Sequence, residues 1–154
     1  MSDLFNPELY VSDVSVYYGS KCAVQNVSFN IHPGQLTAII GNNGCRKTSL
    51  IRAVMNLVKH SGKCMLGELH LESMSVRKRA GMISYIPQRT GISISMTVRE
   101  VCLLGFNPQL HMLESYNFNM RHRADKAIDS VGLAGLYDTD FLTLSEGQKQ
   151  LCIL

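Results

Sequence analysis

From Leu9 to Tyr18 the chain alternates apolar and polar residues, through Leu9, Val11, Val14, Val16 and Tyr18, with a break near Asp13. A period of two predicts a half-buried β-strand, and the break predicts a bulge in it. Gly19-Ser20-Lys21 turns the chain, and the alternation resumes from Ala23 to Ile31 as the second arm of a hairpin. Pro33-Gly34 marks another turn. The nearly continuous apolar run QLTAII then predicts a strand covered on both faces, as in a parallel sheet. The period changes after Thr48: Leu50, Ile51, Val54, Leu57 and Val58 recur at helical spacing, predicting a helix over 48–58.

Beyond Ser61-Gly62 a strand-like segment runs through Leu69 and Leu71, and MISYIP is another short strand, stopped by Pro87. Arg77-Lys78-Arg79 is expected on a solvated helix face. Thr97 and Glu100 stand in capping-box spacing and open a helix; residues 106–118 read as an irregular connection. A helix through Ala124, Ala127, Ile128 and Val131 closes near Gly132, and Ser145 with Gln148 caps a final helix. Strands and helices mixed in this order predict an α/β fold. No internal repeat is visible.

The 154 residues, 45% apolar and 18% charged, suit a globular domain or a piece of a larger one. A net charge of +3 suits an anionic ligand without arguing for nucleic acid or a membrane surface. Cys22, Cys45, Cys64, Cys102 and Cys152 are scattered and form no C-x-x-C pair, so they read as reduced, mostly buried thiols. His32, His60, His70, His111 and His122 show no ligand spacing and predict no metal site. No signal peptide and no eighteen-residue apolar run is present, so the chain is expected to be soluble, with any membrane role acting through a partner.

Chemistry concentrates in GNNGCRKTSL, residues 41–50, between a predicted strand and a predicted helix. In that context a glycine-rich turn is a phosphate cradle: unpaired N–H groups at the helix start point outward and the helix dipole favours an anion. Lys47 would reach the β- and γ-phosphates, the Thr48 hydroxyl would bind Mg²⁺, and Ser49 would lie near the α-phosphate. The bland alternative is a strand-to-helix turn that happens to contain two glycines.

GNNGCRKTSL resembles the Walker A loop of ABC transporter ATPases, and three further segments resemble that family in order and spacing. The resemblance makes Gly41, Asn42, Asn43, Gly44, Cys45, Arg46, Lys47, Thr48 and Ser49 the nucleotide loop. It makes Tyr18 the aromatic residue that stacks on adenine, and Gln88, in YIPQ, the Q-loop sensor of Mg²⁺ and the γ-phosphate. LSEGQKQ, residues 144–150, resembles the LSGGQ signature, so Ser145, Glu146, Gly147 and Gln148 would face ATP held by a second nucleotide-binding subunit. Tyr18 could instead be an ordinary strand aromatic, Gln88 a loop amide, and Ser145–Gln148 only a cap. The connecting segments TVREVCLLG and VGLAGLYDTDFLTLSEGQKQL are most similar to ATPases that serve importers of iron chelates, cobalamin and metal ions.

The implied architecture is a P-loop NTPase core with an N-terminal antiparallel β subdomain, over 1–90, a helical subdomain over 91–143, and the signature with its helix start over 144–154. The implied activity is ATP hydrolysis coupled to uptake through a membrane permease, and indirectly a substrate-binding protein. The implied place is the cytoplasm, peripheral to the membrane; no nucleic-acid partner is implied. Four departures stand against this pattern. Arg46 replaces a glycine that lets backbone approach phosphate, which predicts weak ATP binding. Asn42 replaces a proline, a mild change, and Glu146 replaces the first signature glycine, where its charge would repel a γ-phosphate. The chain stops at Leu154, before the Walker B carboxylates and switch histidine of the family, so it reads as a truncated form without ATPase activity alone. The rival readings are a non-catalytic docking module, or a soluble ABC protein of translation or DNA repair, whose basic or coiled-coil insertions are not visible.

Overall fold

The structure is a computed structural model that describes residues 7–87, 91–111 and 113–154. They gather into two compact units, dividing between Arg79 and Ala80.

The first unit is built on an antiparallel sheet. Strands β1 (Leu9–Tyr18) and β2 (Lys21–Ile31) form the predicted hairpin, with Gly19 at φ 61° in its turn. Strand β3 (Ser61–Leu66) pairs antiparallel with the other edge of β1, and the short β4 (Leu69–His70) follows, giving the order β2-β1-β3-β4. Val11, Val14 and Val16 are all fully buried although Val11 and Val14 are three residues apart. A strict alternation would send one of them to solvent. The irregularity at Asp13 (φ 52°) adds the residue that resets the faces, and its N–H donates to Ser28 Oγ at 2.8 Å.

Helix α1 spans Lys47–Val54, shorter than the periodicity predicts. Asn56 takes φ 49°, its N–H donates to the Ala53 carbonyl, and the Leu57 N–H donates to the Arg52 carbonyl. That paired closure is a Schellman motif with asparagine in the glycine's place. The apolar residues Leu57 and Val58 continue the pattern but not the helix.

Residues 35–40 and 82–87 form no strand, against expectation. A strand exists only when its N–H and C=O groups pair with a neighbour. No strand among the described residues pairs with either segment, and Leu36 and Ile40 are left 101% and 92% exposed. The basic cluster also differs. Helix α2 (Val76–Ala80) carries it, but Arg79 is buried, its guanidinium donating to the carbonyls of Leu71, Met74 and Asn56. Five fixed donors let arginine close several orphan carbonyls at once, which outweighs a solvated position.

The second unit is helical. Helix α3 (Val98–Leu103) starts with a complete Thr97/Glu100 capping box, α4 spans Phe118–Ser130, and α5 (Glu146–Ile153) starts with a complete Ser145/Gln148 box. Gly132 closes α4 at φ 76°, as its place in the sequence predicts. Val98, Val101, Ile128, Leu133, Phe141, Leu144 and Cys152 form one apolar core. Around it, Arg99 binds Asp125 at 2.8 Å and Asp138 at 2.6 Å, and lies 5.1 Å over the Tyr137 ring. All five cysteines are free thiols; Cys64 and Cys152 are buried, Cys22 and Cys45 exposed. Among the described residues no helix is long and apolar enough to cross a membrane.

Candidate functional site

Residues 41–46 form a loop that runs directly into α1. Gly44 lies at φ 84° and Arg46, at the N-cap, at φ 70° and ψ 22°. The left-handed backbone at Arg46 swings the chain into the helix, and no side chain caps the helix start. The first turn holds no acidic residue. A helix start without a side-chain cap, beside two cations, is an anion site by its electrostatics. A Cβ on Gly41 would stand 2.6 Å from Cys45 Sγ, so the tight loop needs glycine there or a different cysteine rotamer.

Lys47 folds back over this loop. Its Nζ donates to the carbonyls of Gly41 at 2.6 Å and Asn42 at 3.0 Å, so the ammonium stands above the loop mouth. These are the interactions an anion entering the loop would replace. Thr48 is exposed, and Asn42 is used as backbone: its carbonyl also accepts from Cys45 N–H at 3.2 Å. Tyr18 donates its hydroxyl to Ser49 Oγ at 3.3 Å. The fold brings these two residues together, with Tyr18 still 46% exposed. No local signal joins residues 31 positions apart. Strand β1, which ends at Tyr18, and the helix that begins at Lys47 make the contact.

The second predicted site lies in the other unit. Ser145 Oγ accepts from Gln148 N–H, and Gln148 Oε1 accepts from Ser145 N–H at 3.0 Å. Glu146 is paired with Lys149 at 3.0 Å while 82% exposed, so its charge is partly offset by a weak, solvent-screened partner. Asn43 and Gly147 are exposed, and Gln88 lies outside the described residues. Two cavities differ in character. One of about 620 Å³ in the helical unit has walls of Ile92, Val101, Phe106, Cys152 and Leu154. The other, about 310 Å³, lies between β2 and the loop, and Arg46 and Lys47 line it. The first is the roomier and largely apolar, with Gln109 and Arg123 also in its walls.

A family model described as ABC transporter matches residues 24–154. The chain belongs to the ABC transporter family. Among its relatives, the manganese transport system ATP-binding protein of Halalkalibacterium halodurans is 29% identical over 94% of this chain and 57% of its own length. The hemin import ATP-binding protein of Mesorhizobium japonicum is 33% identical over 90% of this chain and 52% of its own. This ABC chain therefore spans about half the length of the curated relatives it matches. Its α/β fold also matches a solved ATP-binding cassette of an ABC transporter, at a TM-score of 0.74 and 24% identity, over 96% of this chain and 62% of that one.

Proposed function

We propose that this chain is the nucleotide-loop portion of the ATP-binding subunit of an ABC importer. The observation that carries the reading is the loop at residues 41–46, opening on an α1 start without a side-chain cap, with Lys47 Nζ held across its mouth. ATP is the ligand, with its phosphates on the backbone N–H groups of 44–49 and on Lys47. Mg²⁺, which neutralises developing charge on the phosphates, would be held by the Thr48 hydroxyl and by Gln88. Tyr18, at the edge of the loop through Ser49, offers an exposed ring to the base. Ser145, Glu146, Gly147 and Gln148 would meet the nucleotide of a second nucleotide-binding subunit.

The partners in this reading are that second subunit, a membrane permease and, through the permease, a substrate-binding protein. The chain would then work in the cytoplasm at the membrane face. Manganese and hemin systems among the relatives support a metal ion or iron chelate, or the chemically related cobalamin, as cargo. Arg46 favours a second reading, a docking module that binds ATP weakly and hydrolyses none.

Titration of the full chain with Mg-ATP beside Lys47→Ala tests the proposal. Removing the ammonium deletes a charge-assisted contact to phosphate, and a loss of about 1.5–3 kcal/mol is expected, tenfold or more in affinity. Equal affinity for the two proteins would overturn it.

A further inference from the structure

Away from the loop, the first unit holds a cluster that the ATP reading leaves unused. The ligand atoms of His60, Cys64 and Glu72 all lie within 4.8 Å of one another. Gly62, at φ 87° between His60 and Cys64, bends the start of β3, and Glu72 comes from the 3-10 turn Leu71–Ser73 that follows β4. The spacing of His60 and Cys64 along the chain does not signal this meeting.

The His60 side chain is 2% exposed, and its Nε2 is buried with no hydrogen-bond partner. A buried polar nitrogen left unmatched is costly, and such an atom calls for an explanation. Glu72 Oε1, at 3.9 Å, is too far for a hydrogen bond. Nδ1 meets the Ser61 carbonyl at 3.2 Å, which places the proton there and leaves the Nε2 lone pair turned into the cluster. A backbone carbonyl on the far nitrogen is the usual support of a metal-binding histidine. The Glu72 carboxylate is likewise held, accepting the Cys64 N–H at 2.7 Å.

The geometry points to a divalent-cation site of the zinc class, formed by His60 Nε2, Cys64 Sγ and a Glu72 carboxylate oxygen. Imidazole, thiolate and carboxylate together suit Zn²⁺, and three protein ligands leave a fourth tetrahedral position for water. Bond lengths of 2.0–2.3 Å put tetrahedral ligand atoms about 3.3–3.6 Å apart, so the observed spacing closes by small side-chain movements. Coordination forms the metal–sulfur bond and releases the thiol proton to solvent. One thiolate and one carboxylate then neutralise the ion, as burial at Cys64 requires. The Glu72 side chain is 32% exposed and gives the ion its access route. Once bound, the metal would strap the start of β3 to the turn after β4.

Co²⁺ reports on the site because a thiolate–cobalt pair gives a charge-transfer band and tetrahedral Co²⁺ gives intense visible bands. The full chain titrated with Co²⁺ is expected to show both at one equivalent, with Zn²⁺ displacing the cobalt. Cys64→Ser should lose the charge-transfer band, and Cys22→Ser should keep it. Cys64 is fully buried, so Glu72→Gln serves if the serine variant does not fold. Glutamine keeps a carbonyl for the Cys64 N–H but removes the charge, and at least tenfold weaker Zn²⁺ binding is expected. A folded chain without the band, a band that survives Cys64→Ser, or unchanged affinity in Glu72→Gln would each overturn the assignment. Because the readouts do not involve ATP, they stand apart from the nucleotide proposal.

Discussion

Arg46 is the residue whose chemistry most separates this loop from a generic phosphate cradle. Its φ of 70° places an L-residue in left-handed backbone at a cost of about 1–2 kcal/mol to the fold. Glycine in its place would relieve the strain but lose about 0.5–1 kcal/mol to chain entropy. Arg46→Gly is therefore expected to stabilise the fold by roughly 0.5–1 kcal/mol, read from urea unfolding. Binding is expected to suffer separately, from a Cβ and a long stem beside the N–H groups that would face phosphate. The same variant should bind Mg-ATP about tenfold more tightly, corresponding to about 1.4 kcal/mol. Equal affinities would show that the arginine stem finds room or that its charge compensates.

Among the elements, those with local causes were legible in the sequence and those with distant causes were not. Both capping boxes, the Gly132 closure and the β1 bulge rest on residues a few positions apart, and each forms where its pattern stands. The burial of Arg79 and the Tyr18–Ser49 contact depend on partners brought from elsewhere by the fold, and the end of α1 at Asn56 is a backbone turn that apolar spacing does not register. Periodicity carries no information about them. It also cannot say whether QLTAII finds a strand to pair with, and here it finds none among the described residues.

The local caps make a testable set of their own. Ser145→Ala should cost about 1 kcal/mol of stability, with Ser145→Asp restoring most of it, in urea unfolding. The Glu100 carboxyl is held below its usual range by the Thr97 N–H and hydroxyl, and that of Asp140 by Ser95 and the Leu142 N–H. Both are thus more stable ionised in the folded chain than in the unfolded one. Their contribution is complete above the ordinary carboxylate pKa values of about 4 and is lost as pH falls through the lower folded values. Unfolding followed by helical circular dichroism should show stability declining below about pH 4, with a shallower decline in Asp140→Asn.

For the whole chain, the telling feature of the first unit is the apolar segment around Leu36 and Ile40, open to solvent beside the loop that the ATP reading uses. Exposed large aliphatic residues on unpaired backbone favour association with any surface that covers them. Sedimentation of the chain should show concentration-dependent self-association, reduced in a Leu36→Lys, Ile40→Lys double variant. Unchanged association in that variant would move the sticky surface elsewhere. Family membership implies a nucleotide, and the uncapped start of α1 with the lysine across the loop supports the proposal that its phosphates sit there. The most direct measurement is amide nuclear magnetic resonance of the full chain titrated with Mg-ATP and, separately, with adenosine. Shifts of the Gly44–Ser49 N–H signals with ATP, and none there with adenosine, are predicted; ATP that leaves those signals in place, or adenosine that moves them equally, would contradict the account.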